Sequence, residues 1–248
     1  PLAAAKNAPL LLTQGASLPE ATRTEISRVL PAGGTVYVLG SKDAIPLSVE
    51  TQLTTLGYKV MRYGGTDRYE TALLVAAALG NPSTVFLATG TNFPDGLTAG
   101  PAASHLHGAI LLTAGGTLRT STKAYLDAKA TTVYAIGGPA AAADPAATPV
   151  FGADRFATAA DVAAKFFTSP TTVGVATGAT FPDALSGGAQ LALTGSPLLL
   201  SAKDGAPDVT TNYLAGISGN VATVHLYGGT STLTDAVLSQ VRSLVGGS

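Results

Sequence analysis

The stretch ATGTNFPDGL at 88–97 returns as ATGATFPDAL at 176–185, with seven of ten positions identical and an offset of 88 residues. A second pair lies ahead of it, because GGTDRYETA at 64–72 is echoed by FGADRFATA at 151–159, 87 residues later. Self-similarity at a fixed period is typical of a tandem-repeat architecture. A chain of 248 residues is long enough to give several such units their own cores.

Two further blocks occur three times each, which indicates three repeats rather than two. They are LLLT from 10, ILLT from 110 and LLLS from 198, and VYVLG from 36, VYAIGG from 133 and VHLYGG from 224. We therefore divide the chain into a first repeat at 1–62, a second at 63–149 and a third at 150–248.

The first repeat lacks a front half, because its opening PLAAAKNAPLLLT matches PAASHLHGAILLT from the middle of the second. It has no DR and no FPD motif of its own. We expect that this half was removed, was lost by proteolysis or is dispensed with in a natural variant. An incomplete first sheet is predicted to be prone to aggregation unless something covers it. Any export signal is expected to lie upstream or to have been removed, since the opening residues carry no basic start.

The second repeat predicts alternating helices and strands. Asp67 is expected to begin a helix, with Glu70 completing a capping box. The elements that follow are a strand at Thr84–Thr89, a helix at Pro94–His105, a strand at Ala109–Thr113, a helix at 119–129, a strand at Thr132–Ile136 and a turn at 137–139. The third repeat is expected to end in a helix at 234–244, without a strand leading into another DR motif. The 10–13, 110–113 and 198–201 runs are interpreted as buried central strands.

The strands are apolar on both faces, which is typical of a mostly parallel sheet covered by helices on both sides. The fold class predicted is therefore α/β, with Rossmann-like three-layer units in tandem. The strand order does not follow from the sequence.

Composition excludes several classes of function. A net charge of −1 gives no long-range field for nucleic acid, and the absence of cysteine rules out thiolate catalysis and cysteine-based zinc sites. Gly80, Asn81, Pro82 and Gly90 interrupt the uncharged stretch at 71–94, so no transmembrane segment is expected.

The DR, FPD, ILLT and V-Y-x-x-G-G blocks, in fixed order, resemble the type 2 cell-wall-binding repeat family over essentially the whole chain. The resemblance implies three Toprim-like units packed about a pseudo-threefold axis. It also implies a secreted, noncatalytic module on the surface of a Gram-positive bacterium. Such a module holds its protein noncovalently to an anionic wall polymer, either teichoic-acid-like or a secondary wall polysaccharide. No cofactor, metal or nucleic acid is implied, and an effector domain is expected elsewhere in the parent protein.

The candidate polymer-binding residues are those that the repeats share. Arg68 and Arg155 lie one residue into predicted helices, where free amides and the helix dipole favour anions. The other reading makes Asp67 and Asp154 N-caps and pairs each arginine with a neighbouring unit.

The carboxylates of the FPD motifs are the remaining candidates. Asp95 and Asp183 can cap their helices, which we favour, or accept hydrogen bonds from polymer hydroxyls. Phe93 and Phe181 are expected to plug a junction between helix and sheet rather than stack on sugars. Weak contacts repeated along one polymer would give durable attachment.

Two other functions stay open. One is a glycan-cleaving wall hydrolase that uses Asp95 and Asp183 as paired acids at a site between repeats. The other is a structural or adhesive surface protein that contacts other proteins. A serine triad is not expected, because no G-x-S-x-G motif occurs. His105, His107 and His225 lie at unrelated repeat positions, and the first two are interpreted as surface residues.

Overall fold

The computed structural model describes residues 1–15 and 17–245, and three separate parallel sheets organise it. The strands are β1 Thr35–Leu39, β2 Lys59–Tyr63, β3 Thr84–Thr89, β4 Ala109–Thr113, β5 Thr132–Ile136, β6 Thr148–Val150, β7 Thr172–Thr177, β8 Leu198–Ser201 and β9 Thr223–Tyr227. The helices are α1 Leu2–Ala5, α2 Glu20–Val29, α3 Leu47–Thr55, α4 Arg68–Ala78, α5 Pro94–His105, α6 Thr120–Lys129, α7 Gly138–Ala143, α8 Arg155–Phe166, α9 Pro182–Thr194, α10 Asp208–Ile217 and α11 Asp235–Val245.

The sheets have the orders β1-β2, β4-β3-β5-β6 and β8-β7-β9, and every pair in them is parallel. The predicted α/β class and the three units are confirmed. The predicted boundaries at 62/63 and 149/150 each fall inside a strand, β2 or β6, that is bonded to the sheet of the preceding repeat. The predicted third repeat extends to 248, and its residues 246–248 lie outside the described part.

Central strands lie in the cores because they carry apolar side chains on both faces. Val85, Phe86 and Leu87 of β3 are fully buried, as are Val173 and Val175 of β7. Two different clusters receive alternate residues of β3, one with Val85 and Leu87 and the other with Phe86. The second sheet is therefore covered on both faces, as the three-layer prediction requires, whereas Leu39 and Met61 of the first sheet are 39 % and 47 % exposed.

The predicted buried strand at 10–13 is wrong. Residues 110–113 and 198–201 do form β4 and β8, which pair with β3 and β7. Residues 10–13 form no strand, and Leu11 and Leu12 are 38 % and 39 % exposed. The physical reason is pairing, because in the described part of the first repeat no strand equivalent to β3 lies beside this run.

Most helix boundaries follow from capping residues and prolines, as predicted. Pro94 and Pro182 are the first residues of α5 and α9, where a missing amide hydrogen costs nothing. The predicted turn at 137–139 is shorter than expected, because α7 already begins at Gly138. The predicted last helix is α11, and the third sheet ends at β9 without a further strand among the described residues.

The repeats pack on one another through helices that follow the DR and FPD motifs. α8 of the third repeat contributes Val162 and Phe166 to a cluster with Phe86 and Ile136 of the second. α5 packs on both α8 and α9, and α1 of the first repeat contacts α5 and α9. Elements of all three repeats therefore meet around a common centre. None of the described helices is both long and apolar enough to span a bilayer.

Candidate functional site

Both DR motifs begin their helices as the sequence predicts. The Asp67 carboxylate accepts a hydrogen bond of 2.8 Å from the amide of Glu70, and the Glu70 carboxylate accepts one of 2.7 Å from the amide of Thr66. Asp154 accepts from the amides of Phe156 and Ala157 at 2.9 and 2.8 Å. The caps therefore occupy free amides that an anion would otherwise use.

The two arginines bind the carboxyl ends of their own central strands. Arg68 donates from Nη1 to the carbonyl of Gly90, and Arg155 donates in the same way to the carbonyl of Gly178. Neither arginine forms an ion pair within 4 Å among the described residues. Each arginine therefore has a structural contact, as one reading expected. Its partner is a carbonyl of the same repeat, and not a charged residue of a neighbouring repeat.

The FPD carboxylates lie against the glycine turns that end β5 and β9. A Cβ atom on Gly137 would collide with Asp95 Oδ2, and one on Gly228 would meet Asp183 Oδ2 at 2.7 Å. Thr232 also donates to Asp183 Oδ2 over 3.3 Å. The expectation that these aspartates cap their helices is wrong, because each is directed across the sheet end towards its own turn.

The glycines of the V-Y-x-x-G-G block are explained by this contact and by backbone conformation. Gly137 has φ of 89° and Gly228 has φ of 120°, a region that residues with a Cβ rarely adopt. Sequence reasoning missed these residues as parts of the site, although their repetition after two strands was a visible signal.

The DR motif of the third repeat meets the FPD motif of the second. The guanidinium carbon of Arg155 lies 5.8 Å from the centre of the Phe93 ring, and Phe93 lies 6.0 Å from Phe181, centre to centre. Burial raises the pKa of Asp95, and the positive charge of Arg155 partly opposes that rise. We call the four residues Phe93, Asp95, Arg155 and Phe181 the junction site.

The two rings of the junction site differ in exposure. Phe93 is half-buried beside a cluster that includes Leu97 and Ala184, which agrees with the predicted core role. Phe181 is 48 % exposed, so the same prediction is wrong for it. Among the described residues, Phe93 is its aromatic neighbour.

The second repeat adds a cation that the sequence did not single out. Arg119 forms an ion pair of 2.6 Å with Asp67 and lies 4.8 Å from the centre of the Tyr69 ring. The pKa of Asp67 is lowered, mainly by the hydrogen bond from the Glu70 amide and to a smaller extent by the positive charge of Arg119. Proline occupies the equivalent positions, 19 and 207, so repetition could not have marked this arginine.

The histidines lie apart from the junction site. His105 and His107 are exposed, as predicted, and the ring of His105 packs 5.0 Å from that of Phe167. Within the described part of the chain, no three histidine, aspartate or glutamate side chains are grouped closely enough to hold a metal ion.

Comparisons with known proteins agree with this architecture. The family model described as cell wall binding domain 2 matches residues 1–50, 62–146 and 150–238. The chain is 26 % identical over 254 residues to the N-acetylmuramoyl-L-alanine amidase LytC of Bacillus subtilis (strain 168), a match that covers 100 % of this chain and 50 % of that protein. It is 33 % identical over 113 residues to the amidase enhancer of the same organism, covering 46 % and 16 %.

Two solved structures share the fold. Cwp6 from Clostridium difficile superposes with a TM-score of 0.88 at 24 % identity, over 98 % of this chain and 41 % of that one. Cwp8 from the same organism gives 0.87 at 24 % identity, over 98 % and 44 %. The chain thus spans half the length or less of these relatives.

Proposed function

The chain belongs to the cell wall binding domain 2 family, and on this premise we propose that it attaches a bacterial protein to its own cell wall by noncovalently binding an anionic wall polysaccharide. One observation carries the proposal. A guanidinium from one repeat faces an aromatic ring and a carboxylate from another, at an edge where motifs shared by the repeats converge.

The side chains of the junction site, together with Asp183, suit a charged sugar polymer. Arg155 presents N–H donors in a planar fork that matches phosphate or carboxylate groups. Asp95 and Asp183 are acceptors for sugar hydroxyls, and the exposed Phe181 ring offers an apolar surface to a sugar face. The polymer-binding residues proposed are Arg68, Arg155, Asp67, Asp154, Asp95 and Asp183.

Two kinds of donor could bind an anion here, the arginine guanidinium groups and the free amides at the helix starts. We assign the contact to the guanidinium groups. Asp154 already accepts hydrogen bonds from two of the first amides of α8, and Asp67 accepts from one in α4. The remaining donors of Arg155 can reach a ligand because one nitrogen holds Gly178 and fixes the plane of the group. Asp67 and Asp154 begin the helices that carry the two arginines.

We propose that the module acts without catalysis. The family model matches almost the whole chain, so the likeness to the amidase LytC falls within a wall-binding region, and the chain corresponds to half of that relative. Asp95 and Asp183 each face a glycine turn of their own repeat, which gives no support to a shared acid pair. The location proposed is the cell wall or surface of a Gram-positive bacterium.

The test is co-sedimentation with purified wall sacculi, before and after mild acid removes their anionic polymer. We expect binding to intact sacculi, loss of binding after acid treatment, and weaker binding by Arg155→Ala. The matched control is Arg28→Ala, which removes the same charge from an exposed ion pair in the first repeat. Equal binding to stripped sacculi would refute the proposal, and release of soluble glycan would instead support the hydrolase.

A further inference from the structure

The side chain of Arg119 distinguishes the second repeat from the other two. The equivalent residues are Pro19, with φ of −58° and ψ of 147°, and Pro207, with φ of −59° and ψ of 154°. Arg119 has nearly the same backbone conformation, with φ of −72° and ψ of 147°. Proline fixes φ close to this value, so the backbone at 119 would accept it. The fold therefore does not require arginine at this position.

Arg119 is also not needed to begin α4. Its partner Asp67 accepts the amide of Glu70 through Oδ1 and Arg119 through Oδ2, so the cap and the ion pair use different oxygens. Asp154 caps α8 in the same way, and among the described residues its carboxylate has no cation within 4 Å. The cap thus forms with or without an arginine beside it, and an exposed ion pair adds little stability.

The guanidinium group of Arg119 is held in place and still has free donors. Asp67 binds its Nη2 at 2.6 Å, and the centre of the Tyr69 ring lies 4.8 Å from its central carbon. The side chain is nevertheless 50 % exposed, and Nη2 is its one hydrogen-bonded nitrogen in the described chain. A positioned planar group with unused N–H donors suits the binding of an oxyanion.

Arg68 lies beside the same tyrosine ring. A Cβ atom on Gly90 would meet Tyr69 Cε1 at 2.9 Å and Arg68 Cδ at 3.3 Å, so Arg68 and Arg119 both border Tyr69. Arg68 is exposed and binds the carbonyl of Gly90 through Nη1, which leaves its other two nitrogens for a ligand. The third repeat has Pro207 in place of the second arginine. The second repeat therefore presents two guanidinium groups near the end of β3.

On the basis of the proposed function, we propose that Arg119 is a specificity-determining residue that binds an oxyanion of the wall polymer, a phosphate or a carboxylate group. It acts together with Arg68 beside the Tyr69 ring. The second repeat then contacts a charged unit of the polymer through two arginines, whereas the third uses Arg155 next to the Phe93 ring. The two repeats thus contact one polymer in chemically different ways.

The first test is co-sedimentation of Arg119→Pro with wall sacculi, because this change gives the second repeat the residue of the other two. We expect binding to fall roughly fivefold at about 0.05 M salt and by less than about twofold at about 0.5 M, since salt screens exposed charges. The melting temperature should change by no more than about 3 °C.

The matched control is Arg23→Ala, because Arg23 is 47 % exposed and forms a similar ion pair with Glu20. This variant should bind sacculi like the parent chain. Equal binding by Arg119→Pro and the parent chain would overturn the inference and leave the proposed function intact.

NMR of the arginine side chains tests the contact without sacculi. The Nε–H resonance of Arg119 is followed while inorganic phosphate or, in a second series, acetate is added at constant ionic strength. Arg23 is the reference in the same spectra. We expect Arg119 to shift more than Arg23, and the series with the larger shift identifies the class of anion. Equal shifts of Arg119 and Arg23 in both series would overturn the inference, even if the parent chain binds sacculi. A selective shift of Arg119 in a chain that does not bind sacculi would instead contradict the proposed function.

Discussion

The guanidinium of Arg155 lies 5.8 Å from the ring centre of Phe93, although the two residues come from different repeats. Arg68, which stands at the equivalent position in the second repeat, holds the same carbonyl contact but faces no such ring in the described chain. Comparison of Arg155 with Arg68 therefore separates two roles of the DR arginine. The carbonyl contact is common to both arginines, and the junction contact belongs to Arg155.

Arg155→Ala is expected to weaken binding to wall sacculi more than Arg68→Ala does. Both variants lose a hydrogen bond to a strand-end carbonyl, so their free energies of unfolding should fall by similar amounts, about 1–2 kcal/mol. Co-sedimentation and chemical unfolding of the two proteins measure the difference. Equal losses of binding would remove the special role of the junction site.

Gly137→Ala is expected to lower the free energy of unfolding by about 2 kcal/mol or more, because φ is 89° and the new Cβ meets Asp95. Displacement of Asp95 should also weaken sacculus binding. Gly138→Ala is the matched control, since a Cβ there meets nothing within 4 Å. If both variants unfold like the parent chain, the close contact with Asp95 does not exist.

Tyr227→Phe is expected to leave the free energy of unfolding unchanged or slightly higher. Its hydroxyl is buried without a hydrogen-bond partner in the described structure, and burial raises its pKa to about 12. Tyr125→Phe should instead cost about 1 kcal/mol, because that hydroxyl donates to the carbonyl of Pro82. Thermal unfolding distinguishes the two, and a clear loss in Tyr227→Phe would mean that its hydroxyl has a partner.

Asp95→Asn is expected to raise the melting temperature at neutral pH. Burial raises the pKa of Asp95 above its ordinary value of 3.8, so the carboxyl favours the fold when protonated and this contribution is lost as the pH rises through the folded pKa. The gain should vanish below pH 3.8. The pKa of Asp67 is lowered, so its ionised carboxylate stabilises the fold. Asp67→Asn should therefore lower the melting temperature at neutral pH, and this difference should disappear in acid.

Arg62→Met is expected to destabilise the first repeat by about 3 kcal/mol. Arg62 is 15 % exposed, pairs with Glu50, and also donates to the carbonyls of Ser41 and Ile45. Chemical unfolding should show this cost, whereas Arg28→Ala, at an exposed pair, should change stability by less than about 0.5 kcal/mol. A small effect in both would mean that Arg62 is readily rehydrated.

The repeated blocks predicted most of the fold, because hydrophobic strands and helix caps are local signals. Asp67, Asp154, Pro94 and Pro182 marked helix starts correctly. The run at 10–13 failed because burial of a strand depends on a partner strand. Its residues have the same apolar character as Leu198–Ser201, but among the described residues no strand equivalent to β7 lies beside them.

The sequence predicted which residues belong to the candidate site, but not how they are arranged in space. Repetition selected Arg155 and Asp95, yet their meeting across two repeats depends on how α5 and α8 pack. Arg119 was missed because it is 52 residues from Asp67 and occurs in one repeat. The glycine turns were visible, but their contact with Asp95 and Asp183 depends on strand order, which the sequence does not determine.

The helix α8 carries side chains into two hydrophobic cores at once. Ala163 lies among Val173, Val175 and Leu199 of the third sheet, while Phe166 packs with Phe86 of the second. Because loosening α8 would expose both cores, we expect the second and third repeats to unfold together as one cooperative unit. The expected unit of unfolding is then larger than one repeat of the sequence.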